Sequence, residues 1–185
     1  MRFAGFAILV VAALMLAAGP AQAQWKGYVS RDYGFSFHAP GTMAVEKGTY
    51  KADRSGEQPT VVFRSAADNI EYRVIVSDFR QRAGDGANLL LEAAYAFQNG
   101  RNALMDTYAR VDDVFGRKIT VDLPNNGGRS MAAFFFSKGY LIQFQGTVLP
   151  ANGDYGSPDV SRFIDSHSFA ETRLNPGVTE LKAPN

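Results

Sequence analysis

The sequence contains no cysteine. Disulfides, thiolate nucleophiles and Cys-ligated metals are therefore excluded, and a domain of this length must be held by its apolar core. Histidine is nearly as scarce: His38 and His167 are the only two in 185 residues. Neither sits in an H-x-x-x-H or H-E-x-x-H pair, and no EF-hand loop appears, so the familiar metal-ligand spacings are missing. No G-x-S-x-G elbow and no S-x-x-K motif is present, which leaves no serine with a recognisable base. An excess of charge is lacking too, with 19 Lys and Arg against 18 Asp and Glu. Nucleic-acid binding calls for a clear positive balance, so no nucleic-acid partner is expected. Gly84-Asp85-Gly86 precedes a helical stretch, but no Lys-Ser/Thr follows, and these glycines read as a turn rather than a phosphate cradle. No cofactor is expected.

Long apolar runs are absent except at the N-terminus. There Arg2 supplies a short positive region, Phe6 to Ala18 form an unbroken apolar run of 13 residues, and Ala21-Gln22-Ala23 is a small-x-small signal. A spanning helix needs about 20 residues, so residues 1–23 read as a cleaved secretory leader. No Cys stands at the cleavage point to carry a lipid. The expected product is a periplasmic or secreted protein with no stable membrane anchor, its single α/β domain covering 24–172 and a flexible tail covering 173–185.

Along that chain the hydrophobic period changes twice. In "RDYGFSFHAPG", Phe35 and Phe37 alternate with Ser36 and His38 before Pro40-Gly41, a short strand with one buried side. "TMAVEKGTY" reads as its partner strand. "TVVFRS" and "YRVIVSDF" are β-rich runs joined by "AADNIE", where Asp68-Asn69 suits a turn. From Gly84 to Asp106 the period is helical: Leu89, Leu90, Ala93, Ala94, Phe97 and Leu104 share one side, Asp85 or Asn88 can cap, and Gly100 bends or ends the helix. Period two returns from Gly116 to Leu149, predicting three antiparallel strands in succession with turns at Asn125–Gly128 and Lys138-Gly139. Ser157-Pro158-Asp159 then marks a helix start, with Val160, Phe163 and Ile164 as its apolar side.

The stretch "AAFFFSKGYLIQFQG" carries the architecture. A two-residue turn at Lys138-Gly139 sets Phe135 opposite Ile142 and Ala133 opposite Phe144 on one face. It sets Phe136 opposite Leu141 and Phe134 opposite Gln143 on the other. Large apolar groups face both ways, so both faces require cover. The expected class is α+β: a mainly antiparallel sheet covered by helices on both faces. Tyr28, then Tyr33-Gly34-Phe35-Ser36-Phe37 and Pro40, and a last helix ending in "RFIDSHSF", resemble the PsbP-like family in layout. That resemblance implies an α/β/α sandwich used mainly for protein binding, and it carries no functional residue onto this chain.

Candidate residues for binding are few. Asp78, Arg80 and Arg82 in "SDFRQR" gather at a strand end before a Gly-rich loop, a rim able to read a carboxylate or a partner's acidic edge. Arg101 falls within the apolar stripe of the long helix, either as a snorkelling side chain beyond a helix break or as an anion contact or partner anchor. His38 and His167 read as a surface and a helix-end histidine. Asp112-Asp113 and Asp154/Asp159 read as solvating carboxylates rather than a cation site. The leading expectation is a non-enzymatic binding module with an unidentified protein partner. A carrier of a small apolar ligand between sheet and helix, motivated by Phe134 and Phe136, is the alternative, and a hydrolase without a signature is the third.

Overall fold

The computed structural model describes residues 24–52, 54–170 and 177–184. The secretory leader expected over residues 1–23 lies outside the described residues. Among the described residues, ten strands and two α-helices follow in the order β1 (Trp25–Ser30), β2 (Phe35–Pro40), β3 (Ala44–Ala52), β4 (Gly56–Ala67), β5 (Ile70–Asp78), α1 (Gly86–Gln98), β6 (Asn102–Val111), β7 (Val114–Asp122), β8 (Arg129–Ser137), β9 (Tyr140–Val148), α2 (Pro158–Asp165) and β10 (Val178–Glu180). The main sheet has seven strands in the order β3-β4-β5-β9-β8-β7-β6, and a small sheet has the order β10-β1-β2. The protein is mostly sheet, an α+β arrangement.

Turn chemistry fixes the main sheet. Asp68-Asn69 joins β4 to β5 with φ of 52° and 56°, and Lys138-Gly139 joins β8 to β9 with φ of 52° and 83°. Both are two-residue turns of the hand that matches strand twist. The β8–β9 register places Phe135 opposite Ile142, Phe136 opposite Leu141 and Phe134 opposite Gln143, as the sequence predicts.

Two apolar clusters form on the two faces. On one, Leu89, Ala93, Ala94 and Phe97 of α1 pack on Ile119, Ala132, Phe134 and Leu141. The helix comes close because Gly86 carries no side chain: a Cβ there would meet the Phe136 ring at 2.4 Å. On the other face, Phe35 and Phe37 of β2 join Phe63, Tyr72, Val74, Phe135 and Phe144 of the main sheet and Phe163 of α2. Gly146 admits α2 in the same manner, since a Cβ would lie 2.7 Å from Val160. The second cover is therefore a small sheet with α2 beside it, which corrects the expectation of helical layers alone. Where α1 ends, its face turns polar: Glu46–Arg64 and Glu71–Arg73 ion pairs cross it beside half-buried Gln143 and Gln145.

Four local expectations change. β2 pairs with β1, not with β3, which is an edge of the main sheet paired to β4. α1 stops at Gln98, before Gly100 (φ 70°), so Leu104 is no helix residue. It belongs to β6, an exposed strand that turns the expected run of three into four. Of the tail expected to be loose over 173–185, residues 173–176 and 185 lie outside the described residues, while in the described part β10 pairs in parallel with β1 and Leu181 is buried. A backbone ladder and one buried leucine explain the order.

Candidate functional site

At the end of β5 the chain folds back through a short 3₁₀ turn, Arg80–Asp85. Asp78 stands opposite Tyr140 at the start of β9, and the Phe79 N–H donates to the Gly139 carbonyl at 2.8 Å. These two constraints fix Arg80. Its guanidinium donates to both Asp78 oxygens, with Nη2 to Oδ2 at 2.6 Å, and lies 5.3 Å from the centroid of the Tyr140 ring. Tyr140 in turn meets Tyr33 edge to face at 5.0 Å.

Asp78, Arg80, Tyr140 and Tyr33 form one wall of a half-open cleft of about 450 Å³. Lys47 and Gly48 of β3 and Pro59 of β4 form the opposite wall, and Asp32, Ala183 and Pro184 close one side. The Ala183 N–H donates to Asp32 Oδ2 at 3.1 Å. Arg80 holds the Asp78 carboxyl below the usual carboxylate range by hydrogen bonding to its charged form. Burial pushes the Tyr33 phenol up, and Tyr140, Asp32 and Asp78 push it the same way. At neutral pH Tyr33 is a neutral donor. The cleft thus offers two aromatic rings, a phenol and charges of both signs in balance. It suits an extended chain with small or apolar side chains and exposed amides. Neither histidine lines it.

The other candidates lie elsewhere. Arg82 pairs with Asp85 at 3.0 Å and reaches the Ser55 carbonyl at 3.4 Å, tying the 3₁₀ turn to the β3–β4 hairpin. Arg101 donates to the Phe97 carbonyl at 2.6 Å and stacks on the Phe97 ring, closing the C-terminus of α1. So the structure joins Asp78 to Arg80 and gives Arg82 and Arg101 separate partners. His38 is exposed on β2, whereas His167 is buried, with Nδ1 at 2.5 Å from the Ile164 carbonyl. Among the described residues no group of three or more His, Asp or Glu side chains is placed to hold a metal ion.

Asp112 is also occupied. Its Oδ2 accepts from the Ser168 hydroxyl and from the Phe169 and Ala170 amides at 3.0, 2.7 and 3.0 Å, pinning the segment after α2 to the β6–β7 turn. These donors hold its carboxyl below the ordinary range, the Phe169 amide most of all. Asp112→Ala is expected to lower stability by about 1 kcal/mol in urea unfolding, the scale of a lost capping carboxylate. A lowered carboxylate pKa means that this contribution is complete at neutral pH and disappears as pH falls through the folded-state value.

Sequence reasoning did not single out Tyr33 and Tyr140 for this site. Each adjoins a turn glycine, Gly34 and Gly139, and an aromatic beside a turn glycine is the available signal. That the two hairpins meet is set by the packing of the small sheet on the main one, which neither stretch encodes alone.

No family model matches the sequence, and no curated protein matches it significantly. Among solved structures, this chain is similar to cyanobacterial PsbP (CyanoP) from Synechocystis sp. PCC 6803. The match has 18% identity, covers 82% of this chain and 94% of that chain, and has a TM-score of 0.51. The chain has a PsbP-like fold. A crystal structure from Bacteroides thetaiotaomicron VPI-5482 also matches, at 12% identity and a TM-score of 0.44, over 80% of this chain and 48% of that one. Within the PsbP-like fold the cleft lies where the small sheet meets one end of the main sheet, between β3, β4 and the β8–β9 turn. No helix among the described residues is long and apolar enough to cross a membrane.

Proposed function

We propose that this protein is an exported, soluble, non-enzymatic binding module that acts through protein contacts, and that its cleft receives an extended segment of a partner. One observation carries the reading. The chain's own C-terminal segment already reaches the cleft from a strand: the Leu181 N–H continues the β10–β1 ladder to the Val29 carbonyl at 2.7 Å, and Ala183 and Pro184 then line the cleft, the Ala183 N–H donating to Asp32. A surface that holds extended backbone through a strand edge and one carboxylate is chemically suited to a second such chain. Arg80 and the two tyrosines supply the side-chain types that anchor protein interfaces. The N-terminal leader pattern supports export.

The carrier reading loses its motive, because Phe134 packs on Phe97 at 5.5 Å and Phe136 packs on the backbone of Gly86. That space is filled.

A photo-crosslinking residue at Pro59, in the cleft wall, should give discrete protein adducts in the exporting host. The same residue at Asn125, in the turn at the opposite end of the sheet, should give none. N-terminal sequencing of the product should begin at Gln24. Adducts equal at both positions, or a bound apolar compound in native mass spectrometry of an adduct-free protein, would sink the reading.

A further inference from the structure

The two edges of the main sheet differ in kind. β3 carries Lys47 and Lys51 along its exposed length, the charge that natural edges use against pairing. β6 has no lysine. Its pairing to β7 is irregular at Ala103–Met105, then regular through Val111, after which Asp112 (φ 52°) opens the turn. The regular run Met105–Val111 has Tyr108 at its centre.

Exposed aromatic surface gathers at this edge. Tyr108, Phe115 and Tyr95 are 89%, 71% and 64% exposed, the highest values for large apolar side chains among the described residues. Tyr108 and Phe115 are stacked by Arg117 and Arg110, and both Tyr108 and Tyr95 lie within electrostatic reach of Arg117. Exposed aromatics clustered with arginine are the composition of an interface core rather than of ordinary surface.

We propose that two copies of this chain pair antiparallel along β6, with the two-fold axis at Tyr108. An isologous contact must be complementary to itself. With Tyr108 opposite its own copy, Asp106 falls opposite Arg110, Thr107 opposite Ala109 and Met105 opposite Val111. Opposite charges then meet on one face and apolar or small groups meet on the other. Moving the axis one residue toward the N-terminus sets Asp106 opposite Tyr108; moving it one residue the other way sets Asp106 opposite Asp112. Only the Tyr108 register matches the charges. Asp106 already accepts from Arg117 and Gln98, so an incoming Arg110 joins an existing cluster, giving up a weak pair with Asp113, which is 96% exposed at the hairpin tip. The edge backbone of each copy gains a ladder partner, and the two sheets become continuous.

Light scattering coupled to gel filtration tests this. The purified protein should run as a dimer at about 100 μM, a concentration that saturates a micromolar dissociation constant. Tyr108→Lys and Tyr108→Glu each place like charges across the axis and should weaken association about 100-fold or more. Both should match the wild-type melting temperature when it is measured well below the dissociation constant, where every version is a monomer with this side chain exposed. An equimolar mixture of the two should recover the dimer, with Lys opposite Glu. If either charge disturbs folding, Tyr108→Cys replaces it: no other thiol exists in the sequence, so oxidation should give a covalent dimer, and Asp113→Cys should not. A monomeric wild-type protein, dimers that survive both charge variants, or a mixture that stays monomeric would overturn the pairing.

Discussion

Phe144→Ala is expected to cost about 3–5 kcal/mol of folding stability, whereas Gln143→Ala, one residue away, should change it by less than about 0.5 kcal/mol. The two side chains leave β9 on opposite faces. Phe144 is fully buried, with its ring centroid 5.6 Å from Phe35, 5.9 Å from Phe37, 6.3 Å from Phe163 and 4.5 Å from His167. Truncation removes the partner of four rings drawn from β2, α2 and the segment beyond it. Three separate elements cannot collapse into one gap together, so the cavity remains and its cost adds to the lost burial. Gln143 lies between Phe134 and Ile75 in register, on the stretch that α1 leaves half-open. Trp25, the single tryptophan, packs edge to face on Tyr72 at 6.0 Å and reports unfolding by fluorescence in urea. A domain holds about 5–15 kcal/mol in total, so the first variant should shift the midpoint far and the second barely move it. Equal shifts would show that the small sheet and α2 are not the cover described.

That contrast also measures what was legible in the sequence. Side-chain alternation in Ala132–Gly146 is a local property, enforced by the Lys138-Gly139 turn, and the register follows from it directly. The same holds for α2, whose start is written in Ser157-Pro158-Asp159. β6 was invisible because an edge strand with both faces largely wet shows no alternation, and Leu104 and Arg101 then fit a helical stripe by coincidence. β10 was invisible for a different reason. Three residues in a parallel ladder depend wholly on β1, which lies 151 positions away at Gly27↔Val178. The candidate site divides along the same line. Asp78 and Arg80 are sequence neighbours, so their pairing was within reach, whereas Tyr33, Lys47 and Ala183 arrive from three distant elements.

Between pH 8 and pH 5, above the range where the carboxylates titrate, acid should weaken the fold through His167. His167 is 6% exposed, its ring stacked on Phe144 at 4.5 Å and tilted against Phe135 at 4.6 Å. Its Nδ1 faces the Ile164 carbonyl, which can only accept, so Nδ1 carries the proton of the neutral ring. Nε2 is buried without a hydrogen-bond partner among the described residues. A second proton would place a charged, unsatisfied N–H among phenylalanines. Burial accordingly lowers the His167 pKa below 6.5, and Lys118 acts the same way, against the Ile164 carbonyl and the carboxylates of Asp165 and Asp112. The unfolded chain then takes up the proton first. Stability from the neutral ring is complete above pH 6.5 and declines as pH falls below it, by at most about 1.4 kcal/mol per pH unit, until the folded-state pKa is reached. His167→Phe keeps an aromatic ring in the same surroundings and removes the titration. Urea midpoints measured from pH 8 to pH 5 should slope for the wild type and run flatter for the variant across that window. The variant should lose ground at pH 8, where the bond to Ile164 is gone, and regain it relative to wild type toward pH 5. Identical slopes would place the acid sensitivity elsewhere and leave His167 as packing alone.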